Sequence, residues 1–122
     1  MSITWTQNFD SRSVLGPNSI QQVSTASFGA SDYATGGYPA YPQNFGLSAI
    51  RGLIPTGYTA SGPGAPGGYV WQAFKPAISG PAASNPWFIK AFQTASNGGQ
   101  LIETASNTNF SGGMISWSAS GY

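Results

Sequence analysis

The chain has 122 residues, 40% of them apolar and only 6% charged, with a net charge of +1, no histidine and no cysteine. One domain around one core is the expectation at this length, and a chain this apolar is not a disordered one. The near absence of charge removes any long-range field for capturing nucleic acid or an anionic membrane surface, and without His or Cys there are no disulfides, no thiolate chemistry and poor prospects for zinc or iron.

The N-terminal "MSITWTQNFDSRS" has neither a basic start nor an apolar run, so no signal peptide is expected. No window approaches the roughly eighteen apolar residues of a membrane helix. Helical periodicity is nearly absent, because 17 glycines and 9 prolines recur too often for a long helix. Short alternating runs remain, and alternation marks a half-buried strand.

"SITWTQNF" (2–9) alternates, with Ile3, Trp5 and Phe9 on one face and Ser2, Thr4, Thr6 and Asn8 on the other. It is either a strand of the domain or an arm lying on a neighbour (residues 1–10), and its clean alternation favours the strand. "LGPNS" (15–19) reads as a turn, and "SIQQVSTASF" as a second strand with Ile20, Ala26 and Phe28 on one side. A single helical turn is expected near "PQNFGLSA", capped by Asn44. "LSAIRGLIP" (47–55) is a third strand in which Ile50 and Ile54 share a face and Pro55 ends the run. "GYVWQAFK" (68–75) and "WFIKAFQT" (87–94) are aromatic-rich strands, "GGQLIETAS" (98–106) is a shorter one, and "GGMISWSAS" (112–120) closes the set with Ile115, Trp117 and Ala119 on one face. Between them lie two breaker-rich loops, "PTGYTASGPGAPGG" (55–68) and "PAISGPAASNP" (76–86). A loop as long as the first is functional or flexible. The fold class is therefore all-β: a small antiparallel β-sandwich or barrel, jelly-roll-like, of about seven strands with long Gly/Pro loops, in a single domain spanning 1–122.

Catalytic signals are weak. The commonest general base is missing, and the three acids, Asp10, Asp32 and Glu103, are scattered. They read as surface groups, with a glycosidase-like pair as the rival reading. "GPGAPG" (62–67) matches the dinucleotide spacing. It lacks the strand before and helix after that the fingerprint requires, and it reads as loop. An oxygen-only calcium site needs more carboxylates than three. The expectation is no enzyme activity, no metal and no cofactor.

The aromatic residues carry more information. Most Trp and Phe sit at alternating strand positions, where core packing is the default. Tyr33, Tyr38, Tyr41 and Tyr58 instead lie in breaker-rich segments. Tyrosine on Gly/Ser/Asn loops fits a contact surface, with a lid over the sandwich as the alternative. Together with Trp5 and Phe9 from the possible arm, these are the candidate residues for contacts to a partner or to a second copy.

The ordered series "SDYATGGYP", "FGLSAI", "GGYVW", "FIKAF" and "GGQLIETASNTNFSGG" resembles the capsid decoration, cement or head-stabilisation proteins of tailed phages. The likeness spans residues 20–121 and rests chiefly on Tyr33, Thr35, Gly36, Gly37, Pro39, Gly46, Leu47, Ser48, Gly68, Tyr69 and Val70. It departs from the family pattern at Tyr38, where an acid is common, and in the glycine-rich 55–68 loop. The resemblance implies a non-enzymatic virion protein, made in the host cytoplasm and bound to the outer capsid surface. There it would bridge neighbouring major capsid protein subunits and self-associate, as a trimer or else a dimer. It implies no nucleic-acid or membrane partner. A glycan-binding module or tail-fibre component is the alternative, because exposed rings with Asn and Gln also suit sugars.

Overall fold

The computed structural model describes residues 3–17, 19–29, 33–58, 69–75, 86–94 and 100–122, with the side chains of 9–12 and 15 outside that description. Among the described residues there are eight strands: β1 (Ile3–Gly16), β2 (Ser19–Phe28), β3 (Tyr38–Ala40), β4 (Ile50–Tyr58), β5 (Val70–Phe74), β6 (Trp87–Thr94), β7 (Leu101–Glu103) and β8 (Met114–Gly121). They form two antiparallel sheets packed as a small sandwich. The first sheet has the order β1-β2-β8-β4, so the last strand is inserted between two early ones. In the second sheet β6 is central. β5 lies along one side of it, and β3 and β7 lie end to end along the other.

The N-terminal segment is a strand and not an arm: Ile3 to Asn8 pair in register with Phe28 to Val23. The alternation read from β1, β2 and β8 sets the inner face of the first sheet. Ile3, Trp5, Ala26, Phe28, Ile115, Trp117 and Ala119 all belong to the core or pack against it. Removing that much apolar surface from water is the main stabilising term for a chain with so few charged residues. Gln22 and Ser24 share this inner face and are buried as well. Each has a partner: Gln22 Nε2 donates to the Asn8 carbonyl at 2.7 Å, and Ser24 Oγ donates to the Asn44 carbonyl at 2.9 Å. A buried polar group without such a bond would cost about 1–3 kcal/mol.

The expected helical turn is a 3₁₀ turn over Pro42–Phe45. Asn44 does cap it, but from the third position, with its Oδ1 accepting the Tyr41 N–H at 2.8 Å. The turn covers the polar end of the inner face and brings the Phe45 ring to 5.1 Å from Trp5.

β4 corrects the sequence reading twice. Its pairing with β8 runs from Ile50↔Gly121 to Gly52↔Ser120, which leaves Arg51 as an extra residue. One extra residue exchanges the two faces of everything that follows. Ile50 therefore shares the core face with Leu53, 5% exposed, whereas Ile54 points outward at 60%. Pro55 does not end the strand either, since β4 continues to Tyr58. Proline is tolerated because β4 is the outermost strand of its sheet and a second irregularity falls between Pro55 and Gly57. The remainder of the 55–68 loop, with the "GPGAPG" match, and all but Pro86 of the 76–86 loop lie outside the described residues.

Candidate functional site

Residues 33–37 interlock with residues 103–107. Between β3 and β7 the Ala91 carbonyl on the flank of β6 accepts the Thr104 N–H at 2.8 Å, but the Ala91 N–H has no strand carbonyl to meet, and the Tyr33 hydroxyl fills that gap. It accepts the Ala91 N–H at 3.1 Å, where a neighbouring strand would have offered a carbonyl, and donates to Glu103 Oε2 at 2.8 Å. The same carboxylate oxygen accepts the Gly36 N–H at 2.7 Å. Thr35 and Ser106 join their hydroxyls at 2.8 Å, and the Asn107 N–H donates to the Tyr33 carbonyl at 2.6 Å. Burial raises the pKa of the Tyr33 phenol well above its usual value; the Ala91 N–H opposes the rise and Glu103 adds to it. Gly37 is obligatory in this turn. Its φ of 89° is left-handed, and a Cβ there would meet the Ile89 carbonyl oxygen and the Lys90 side chain.

This arrangement overturns two of the proposed contact residues. Tyr33 is 1% exposed and Tyr38 is fully buried. Both join an aromatic core with Phe28, Trp71 and Phe110, in which Tyr33 stands edge-on to Tyr38 at 5.5 Å and to Phe110 at 5.9 Å. Edge-on packing at these distances is favourable beyond the area buried. The glycines beside these tyrosines let the chain turn sharply enough to push both rings inward. Trp5 is also no free ring, being half-buried and packed against the core. The Phe9 side chain lies outside the described residues. Tyr41 and Tyr58 are exposed, as the sequence suggested.

The outer faces of the two sheets differ in chemistry. That of the first sheet is a lattice of hydroxyls and amides. Asn8 Nδ2 donates to Thr25 Oγ1 at 3.3 Å, Thr25 and Ser116 join hydroxyls at 3.1 Å, and Gln21 Nε2 donates to Ser118 Oγ at 2.8 Å. Tyr58 and Met114 border it at a shallow groove of about 480 Å³ shared with Thr25, Gly57 and Ser116.

The outer face of the second sheet is aromatic. The pairing Val70↔Phe92, Gln72↔Lys90 and Phe74↔Phe88 puts these six residues on one face, while Trp71, Ala73, Ile89 and Ala91 point inward. Phe74 and Phe92 lean toward each other over the Gln72–Lys90 pair, with ring centroids 5.8 Å apart. The Lys90 ammonium sits 4.5 Å above the Phe74 ring, a cation–π geometry. Val70, Phe74 and Leu101, the last on β7, are exposed. At one end of the face, Phe74, Phe88, Lys75, Lys90, Thr35, Gly36 and Gly37 line a groove of about 490 Å³. The sequence reading passed over this surface because it assigned strand aromatics to the core. A usable signal was there: β5 and β6 carry apolar residues at both alternating sets of positions, whereas a sheet with one wet face alternates with polar ones.

Of the three acids, Glu103 is held by Tyr33 and Gly36, while Asp32 and the Asp10 side chain lie outside the described residues. Among the described residues, no group of His, Cys, Asp or Glu is placed to hold a metal ion. No helix there is long and apolar enough to cross a membrane. No protein-family model, curated protein or solved structure matches the chain.

Proposed function

We propose that this chain is a structural protein of a phage head, attached to the outer capsid surface as a small oligomer, a trimer in the first instance, and stabilising the shell by bridging neighbouring major capsid protein subunits. The observation that carries the reading is the aromatic outer face of the second sheet, on a chain with almost no charge. Apolar and aromatic area withdrawn from water stabilises a contact by about 25 cal/mol per Å², before association costs are subtracted. A surface with few ions has few to desolvate on docking. Bridging makes the second contact intramolecular, so weak contacts repeated around a closed shell add up without any chemical step. The sequence resemblance to decoration proteins supports the same reading, and its motif residues serve to build the turn that borders this face.

The test is cosedimentation of the purified chain with expanded phage heads, followed by an electron-microscopic map of the decorated particle. Phe74→Ser with Phe92→Ser lowers occupancy by about tenfold or more, with the fold retained by circular dichroism. Unchanged occupancy in that variant, or no attachment of the wild-type chain, overturns the reading. Selective hits on a glycan array without head binding replace it with the glycan-binding alternative.

A further inference from the structure

The groove at the end of the aromatic face has a charge pattern of its own. Two of the chain's four cations, Lys75 and Lys90, line it, and among the described residues no carboxylate does. Glu103, the one acid whose side chain is among the described residues, already has an oxygen bonded to the Tyr33 hydroxyl and the Gly36 N–H. Its walls are the rings of Phe74 and Phe88. The backbone at Gly36 and Gly37 offers no free donor, since the Gly37 N–H closes the turn onto the Ala34 carbonyl at 2.9 Å. An occupant must therefore complement two ammonium groups and two aromatic surfaces. We infer that this groove receives a partner polypeptide segment in which acidic residues alternate with apolar ones. A second copy of this chain is a poor occupant, because it has only three acids in all and Glu103 is engaged. The inference rests on reading this face as a docking surface, and it names the partner chemistry that the aromatic rings alone do not specify.

The experiment titrates the isotope-labelled full-length chain with the capped peptide Gly-Asp-Phe-Glu-Leu-Asp-Gly and with its amide analogue Gly-Asn-Phe-Gln-Leu-Asn-Gly, following backbone amide resonances at about 0.05 M and about 0.5 M salt. The acidic peptide moves the resonances of Thr35, Gly36, Gly37, Phe74 and Lys90, binds about tenfold more tightly than the amide analogue and weakens in high salt. Lys75→Gln with Lys90→Gln abolishes that preference while leaving the dispersed spectrum of a folded chain. Equal binding of the two peptides, shifts confined to another face, or no shifts overturns the inference. Peptide binding without attachment to heads leaves it standing and refutes only the head-protein reading; attachment to heads without selective peptide binding does the reverse.

Discussion

Replacing Tyr33 by Phe removes one oxygen atom and leaves the ring contacts with Tyr38 and Phe110 in place. That oxygen has two tasks. It is the acceptor for the Ala91 N–H and the donor to Glu103. Ala91 is fully buried, so its N–H is left without an acceptor, at a cost of about 1–3 kcal/mol. The bond to the carboxylate adds about 1 kcal/mol, below the roughly 1.5–3 kcal/mol usual for a charged acceptor, because Glu103 is only half-buried and water takes over part of the phenol's role. The sum is about 2–4 kcal/mol, out of the 5–15 kcal/mol available to a domain of this kind, and it lowers Tm by roughly 10 °C. Urea unfolding read by tryptophan fluorescence measures it, with an unchanged m-value showing that the same surface is exposed in both proteins. The pH dependence supplies an independent check. The unfolded phenol ionises near 10 while the folded one holds its proton to higher pH. The Tyr33 contribution is therefore complete below about pH 10 and is lost as pH rises beyond it, by up to about 1.4 kcal/mol per pH unit. The Phe variant lacks that part of the slope. A loss below about 0.5 kcal/mol, or identical alkaline slopes in the two proteins, would refute the role assigned to the hydroxyl.

Other substitutions test the turn and the parity change in β4. Gly37→Ala drives a methyl group into the Ile89 carbonyl and leaves the chain largely unfolded by circular dichroism; Gly36→Ala, with φ of 107° but open space around its Cβ, costs only about 1–2 kcal/mol in the same assay. Leu53→Ala destabilises by about 2–4 kcal/mol in urea, and Ile54→Ala by no more than about 0.5 kcal/mol. Similar losses at the two positions would contradict the extra residue at Arg51. Tyr38→Ser damages the core and lowers Tm before any effect on binding can be read, whereas Tyr41→Ser leaves Tm within a few degrees of wild type.

Much of the fold was legible in the chain because a strand's faces are a local property. Alternation in "SITWTQNF", "SIQQVSTASF" and "GGMISWSAS" assigns Trp5, Ala26 and Trp117 inward without reference to partners, and pairing then agrees with it. The same reasoning failed at Ile54, because a bulge is set by pairing with β8, more than sixty residues further along the chain, and the register there absorbs an extra residue that no local pattern announces. β3 was missed for a related reason: three residues are too few to show a period, and they are extended only because β6 pairs with them.

The chain by itself determined that this is a β protein without the groups for thiol or imidazole chemistry, and it held the aromatic rings any contact would use. Tertiary structure decided which rings are available. Tyr33 and Tyr38 sit in a glycine-rich segment that looks like surface, yet the partner that draws Tyr33 inward, Glu103, is 70 residues away. Phe74 and Phe92 look like core, yet their strands, β5 and β6, already bury Trp71 and Ala91 on the other face, and only one side of a sheet can face one core. Exposure depends on what closes over a residue, and that is settled by contacts between segments that are remote in sequence.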